Sequence, residues 1–92
     1  YILYRTLGHI QDANIEEVPF AADWSLSEAF FQQRDRLKLI YLPNPNSPTG
    51  TVVSREQIIE LAGRIDCPIL IDEAYADFAT LNCIDLPARY PN

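Results

Sequence analysis

Lysine is nearly missing from this chain. Of 92 residues only Lys38 is a lysine, and the basic residues number seven in all against thirteen acidic ones. The formal net charge of −6, with its arginines scattered, excludes nucleic acid as a partner, because phosphate binding needs clustered cations. No apolar run is long enough to cross a bilayer, and the first residues lack the basic and apolar segments of a secretory signal. Cysteine is sparse too. Cys67 and Cys83 stand too far apart for a CxxC site and have no ligand companions, which excludes the usual structural zinc motifs. Cys67 leads into an apolar segment and reads as an inert packed thiol, in keeping with a reducing, cytoplasmic setting. There is no GxxxxGK[ST] string and no methionine, and the chain opens on Tyr1 as a segment of something longer would.

What is present reads as alternating helices and strands. Ile2, Leu3, Leu7 and Ile10 recur at helical spacing until Asp12-Ala13-Asn14 breaks the pattern. Ile15–Phe20 is short, β-leaning and interrupted by Pro19, as an edge strand is. Ser25 or Ser27 caps a helix through about Gln33, with Trp24 as an apolar anchor before it. Arg34 and Arg36 around Asp35 form its solvated end. Leu37–Leu42, with Lys38 inside it, and Pro68–Ile71 are apolar at nearly every position, the pattern of parallel strands covered on both faces. Between them Ser54 and Gln57 make a capping-box signal for a helix carrying Ile58, Ile59, Leu61, Ala62 and Ile65. Strand, helix, strand is a βαβ unit. Ala76–Leu81 reads as a helical turn, and Asp85–Asn92 as a loop or short helix. Such a chain buries only about three-fifths of its unfolded surface, so its core is modest.

The chemistry gathers at the two strand ends. Asp72 is delivered by an apolar strand, and a carboxylate there is costly unless a cation or hydrogen bonds satisfy it. It therefore serves a ligand or a structural ion pair. Glu73 beside it is a possible base or metal ligand, but no second ligand set accompanies it. Tyr75, three residues beyond Asp72, is either a packed aromatic or, if the chain turns helically, a phenol returning to the same cavity. The loop "PNPNSPTG" (Pro43–Gly50) follows the first strand. Its prolines fix φ and favour extended or cis geometry, and Asn44, Asn46, Ser47 and Thr49 supply polar groups. A stiff turn accounts for any one of these residues but not for the whole string. His9 has no partner at useful spacing and reads as a surface helix residue.

These strings together resemble the fold-type I, pyridoxal-phosphate-dependent aminotransferases of class I/II, over nearly the whole chain. The resemblance implies a three-layer α/β/α sandwich with mostly parallel strands. Residues 1–92 would be part of its large, cofactor-binding domain, with no separate second domain. It implies that Asp72 pairs with the protonated pyridine nitrogen of pyridoxal 5′-phosphate and that Tyr75 reaches the 3-oxygen. The opening "YILY" looks like the family's YxxY helix start, by which Tyr1 stacks on the ring and Tyr4 helps to position it. The family's asparagine immediately before "PTG" is Ser47 here. The 3-oxygen contact therefore falls to Asn46, one residue earlier, or to Ser47 through water. A carboxylate that keeps the pyridine protonated makes the ring an electron sink, which agrees with the role of Asp72.

Within the class, "DEAYADFA" with "YILYRTL" is most similar to the histidinol-phosphate aminotransferases. That likeness implies a cytoplasmic homodimer exchanging the amino group of histidinol phosphate with 2-oxoglutarate in histidine biosynthesis. Lys38 precedes the loop and does not match the family's Schiff-base lysine. No catalytic residue is therefore assigned, and the chain alone is expected to be inactive. The phosphate-cradling glycine loop and the basic anchors have no match either. Two other readings compete. "ILIDEA" also looks like the Walker B strand of a nucleotide hydrolase, although the phosphate loop that reading needs is absent. A non-catalytic α/β module that self-associates through unpaired sheet edges is the other.

Overall fold

In a computed structural model, which describes residues 2–92, the chain forms two helices and a two-stranded parallel sheet. Helix α1 spans Ile2–Ile10, strand β1 Ile40–Pro43, helix α2 Arg55–Arg64 and strand β2 Ile69–Asp72. The register pairs Ile40 with Ile69, Tyr41 with Leu70, Leu42 with Ile71 and Pro43 with Asp72. This is the βαβ unit read from the sequence, and it fits a segment of an α/β sandwich. No helix among the described residues is long and apolar enough to cross a membrane.

Helix α2 starts where the capping signal lies: Ser54 Oγ accepts from Gln57 N–H at 3.3 Å. Its apolar stripe buries Ile58 and Leu61 against Ile40 and Leu42, with Val53, Ile65, Cys67, Cys83 and Leu86 completing the core. Because side chains alternate along a strand, Tyr41, Leu70 and Asp72 face the other side of the sheet. On that face the cover within this chain is partial. Tyr4 of α1 stacks on Tyr41, but Leu70 stays 41% exposed, since α1 buries none of its residues. The Ile15 side chain packs over Gly8, where a Cβ would meet its Cδ1 at 2.6 Å. The helix ends at Ile10, and in the turn after it Asp12 takes a φ of 51°, in the left-handed region that aspartate tolerates. His9 is exposed on it, as expected.

Several sequence expectations are corrected. Ile15–Phe20 forms no strand. Its backbone finds no neighbour in the sheet, and Glu16 and Glu17 instead reach out to Arg34 and Arg5. The helix expected through Gln33 shrinks to a 3₁₀ turn, Glu28–Phe31. Ser27 precedes it without capping it, donating its hydroxyl to the Pro19 carbonyl at 2.9 Å. Trp24 is half exposed beside Phe20 rather than an anchored plug. Arg34 and Arg36 flank a turn closed by Leu37 N–H on the Arg34 carbonyl, not a helix end. The first strand begins at Ile40, so Lys38 lies outside it; the first ladder bond is Ile40 N–H to the Pro68 carbonyl, which sets the boundary. The distal segment holds two 3₁₀ turns, Ala76–Phe78 and Leu86–Ala88, as the sequence suggested.

The distal loop is tied to α2 by Arg55, whose guanidinium pairs with both oxygens of Asp85 and donates to the Asn82 carbonyl. That bond holds the Asp85 carboxyl below its ordinary value. A depressed folded-state value means the stabilisation is present above the unfolded value and is lost as pH falls through the folded one. Stability measured by chemical unfolding is therefore expected to drop in mild acid, and Asp85→Asn is expected to flatten that drop. The pair is exposed, so the effect is small.

Candidate functional site

The site lies at the C-terminal ends of β1 and β2, where open α/β sheets place their ligands. Backbone bonds align the two ends: Asn44 N–H donates to the Asp72 carbonyl at 2.9 Å, continuing the ladder one residue past β1. The loop after β1 is closed on itself. Asn46 N–H donates to the Thr51 carbonyl and Gly50 N–H to the Asn46 carbonyl, each at 2.8 Å, and Gly50 takes a φ of 71° that suits glycine. The Asn44-Pro45 and Ser47-Pro48 peptide bonds are cis.

A cavity of about 200 Å³ opens between this loop, α1 and the segment after β2. Its walls include Tyr4, Pro43, Ser47, Asp72, Ala74 and Tyr75. Ligand pockets commonly measure about 300–1,000 Å³, so this space is the size of part of a site. Asp72 is half-buried, and its partners are neutral. The Tyr4 phenol donates to Oδ2 at 2.6 Å, and Ala74 N–H donates to Oδ1 at 3.0 Å. None of the ion pairs among the described residues involves Asp72. The structural alternative, an aspartate stationed there to neutralise a basic side chain, therefore finds no support.

The structure thus brings Asp72, Tyr75 and Ser47 to one cavity, with Tyr75 about half exposed. Asn46 is placed differently: its amide donates to Thr49 Oγ1 at 2.6 Å within the loop. The ring-stacking role of Tyr1 lies outside the described residues. Glu73 points to the opposite face, where its carboxylate accepts from Cys83 N–H at 2.6 Å. Among the described residues no group of three or more histidine, cysteine or acidic side chains is arranged to hold a metal. Burial, reinforced by Glu73, pushes the Cys83 thiol up, and burial raises Cys67 likewise, so neither is poised as a nucleophile.

Two contributors escaped the sequence reading. Asn44 was counted only among the loop's polar groups, yet it is the buried polar side chain of the core. It accepts from Val53 N–H at 2.8 Å and donates to the Val53 carbonyl at 3.3 Å, pinning the two ends of the loop together. An asparagine directly after a buried strand and nine residues before a core valine offered only a weak signal. Tyr41 supports Tyr4 by stacking, with ring centroids 3.8 Å apart. Nothing in an apolar strand distinguishes such a tyrosine from one that merely packs.

Comparison with known proteins gives the family. The family model for aminotransferase class I and II matches residues 12–92. A histidinol-phosphate aminotransferase of Rhodopirellula baltica is 59% identical over 86 residues, covering 94% of this chain and 24% of that protein. Those of Syntrophotalea carbinolica and Geotalea uraniireducens are 45% and 42% identical over the whole chain, covering 26% of each protein. The chain thus spans about a quarter of the length of the curated relatives it matches. No solved structure matches it. With the match running through the loop, α2, β2 and the acid at its end, the chain belongs to the class I and II aminotransferases.

Proposed function

We propose that this chain is the ring-binding part of a pyridoxal-phosphate-dependent aminotransferase that acts on histidinol phosphate, with 2-oxoglutarate as the partner keto acid. The observation that carries the proposal is the carboxylate of Asp72, half-buried at a strand end, without a cationic partner among the described residues, and facing a cavity shared with a phenol and a hydroxyl. That donor set fits the cofactor: an anion for a protonated pyridine nitrogen, and hydroxyl donors for an oxygen on the same ring. The substrate follows the names of the relatives at 42–59% identity. A cytoplasmic homodimer belongs to the same reading.

When bound, pyridoxal phosphate supplies an electron sink for the charge left as the substrate's Cα loses its proton. The chain's own residues set up that sink. Asp72 holds a proton on the ring nitrogen, because its negative charge favours the cationic form of a base beside it. Tyr75 donates to the 3-oxygen. For the second donor the sequence left Asn46 and Ser47; Ser47 lines the cavity whereas the Asn46 amide is engaged with Thr49, which favours Ser47. Pro43, Pro45 and Leu3 give the cavity an apolar wall for the ring. Nothing favours the nucleotide-hydrolase reading, since Glu73 is turned to Cys83 and forms no metal set with Asp72.

Asp72→Asn in the full-length protein tests the proposal. A charge-assisted bond is worth about 1.5–3 kcal/mol, so affinity for pyridoxamine 5′-phosphate is expected to fall about 10- to 100-fold. Transamination of histidinol phosphate is expected to fall with it. Unchanged affinity in a folded variant would sink the assignment.

A further inference from the structure

Glu73 and Tyr75 stand close in the chain, yet their side chains work on opposite faces of the sheet end. Tyr75 lines the cavity with Asp72, whereas Glu73 reaches the α2 face and accepts from Cys83 N–H at 2.6 Å. That bond closes residues 74–82 into a loop. Its far end is anchored, because Cys83 is buried and Arg55 of α2 holds the Asn82 carbonyl and Asp85. Between the ends runs a string of turns, with Ala76 N–H on the Glu73 carbonyl, Phe78 N–H on the Tyr75 carbonyl and Ala79 N–H on the Ala76 carbonyl. The Tyr75 ring itself has little packing: it is 49% exposed, and Phe78, 6.4 Å away between centroids, is 87% exposed. Its place therefore comes from the backbone that carries it. We infer that Glu73 is a positioning residue, one that by holding Cys83 fixes the loop presenting the Tyr75 phenol to the cavity. This rests on the reading of Tyr75 as a donor to the 3-oxygen.

The end of the ladder explains why a side chain takes this task. The register of β1 and β2 stops at Pro43 and Asp72, so the sheet offers no carbonyl to the chain when it returns at Cys83. The backbone amide of a buried residue still needs an acceptor, and Glu73 supplies it from the first position beyond the strand. A loop joined at both ends has less conformational freedom than one held at a single end. A donor ordered before the ligand arrives also costs less to immobilise on binding. The bond requires an acceptor oxygen, which a glutamine amide provides as well as a carboxylate does. A general base or a metal ligand would require the charge. That difference separates a positioning role from the base or metal roles that the sequence left open for Glu73.

The test compares two ligands of the full-length protein, pyridoxamine 5′-phosphate and its 3-deoxy analogue, in which hydrogen replaces the 3-hydroxyl. Glu73→Ala removes the acceptor. It is expected to weaken the 3-hydroxyl ligand about three- to tenfold while leaving the deoxy analogue unchanged, and to have no further effect in a Tyr75→Phe background. Glu73→Gln is expected to restore the parent affinity for both ligands. Equal weakening of both ligands by Glu73→Ala would mean that Glu73 only maintains structure, which overturns the inference. A loss in Glu73→Gln as large as in Glu73→Ala would mean that the charge matters rather than the bond, and overturns it too. If Tyr75→Phe itself fails to discriminate the two ligands, the assignment of Tyr75 falls and takes this inference with it. If Tyr75→Phe discriminates and Glu73→Ala does not, the inference alone falls. Should Glu73→Ala not fold, Glu73→Asp draws the acceptor back from Cys83 by one methylene. The same selective loss is expected there, and no loss, or an equal loss of both ligands, overturns the inference.

Discussion

Leu61→Ala is expected to lower the stability of the fold by about 2–5 kcal/mol, as large-to-small changes at buried leucines do. Leu61 has no exposed surface, and it sits in α2 with Ile58 and Ile65 around it and Ile40 and Leu42 beneath. Truncation removes the transfer free energy of three carbons and leaves a void that a helix pinned at both ends fills poorly. The N-terminus of α2 is held by Ser54 and by Arg55 on Asp85, and its C-terminus by the Asn92 amide, which donates to the carbonyls of Ala62 and Ile65. Collapse of the helix onto the sheet is therefore restricted, which places the cost toward the upper part of the range. Chemical unfolding of the full-length protein checks this. Leu81→Ala, at a residue 54% exposed, is the control and is expected to stay within about 0.5 kcal/mol of the parent. Equal effects from the two substitutions would mean that α2 does not carry the core.

The contrast between these two leucines also shows how far the sequence could be read. The apolar spacing of α2 and its cap at Ser54 are local signals, and both appear where the residues place them. The same holds for the order of strand, helix and strand, since a continuous apolar run bounded by proline admits few alternatives. Ile15–Phe20 went wrong for a non-local reason. Its composition suits a strand, but a strand exists only where another offers a ladder, and composition carries no information about a neighbour. The segment after Ser27 failed for a related reason. Phe30 and Phe31 both pack against the core, and tertiary contacts of that kind override local helix propensity.

The site divides in the same way. Asp72 was legible because a carboxylate at the end of an apolar strand demands a reason, and Tyr75 because its spacing from Asp72 returns it to the cavity when the chain turns. Tyr4 was legible only through likeness to a family, since no local pattern links residue 4 to residue 72. Its bond to Asp72 is a product of tertiary packing, α1 laid against the outer face of the sheet by the stack on Tyr41. Family likeness named the residues; the fold supplied the bond between Tyr4 and Asp72.

Asn44→Ala is the second large effect, expected at about 2–4 kcal/mol. Asn44 is 4% exposed and Val53 3%, so the amide and carbonyl of Val53 lose their partner in a place that water does not reach. Each buried group left unsatisfied costs about 1–3 kcal/mol, and here one side chain satisfies two. The consequence extends beyond stability. Asn44 and Val53 are the two ends of the loop, and the residues between them include Pro45 and Ser47 of the cavity wall. Releasing the ends frees that wall, so affinity for pyridoxamine 5′-phosphate is expected to fall along with the unfolding midpoint. Leu61→Ala, by contrast, is expected to lower the midpoint with a smaller effect on affinity, because the void lies on the other face of the sheet. Asn44→Asp separates the two bonds. Its carboxylate still accepts from Val53 N–H, but its second oxygen faces the Val53 carbonyl, so like meets like and an unpaired charge is buried. That variant is expected to be no more stable than Asn44→Ala, despite keeping one of the two bonds. Recovery of stability in Asn44→Asp would show that the donor half of the clamp carries nothing, and that the loop is held by the Val53 amide alone.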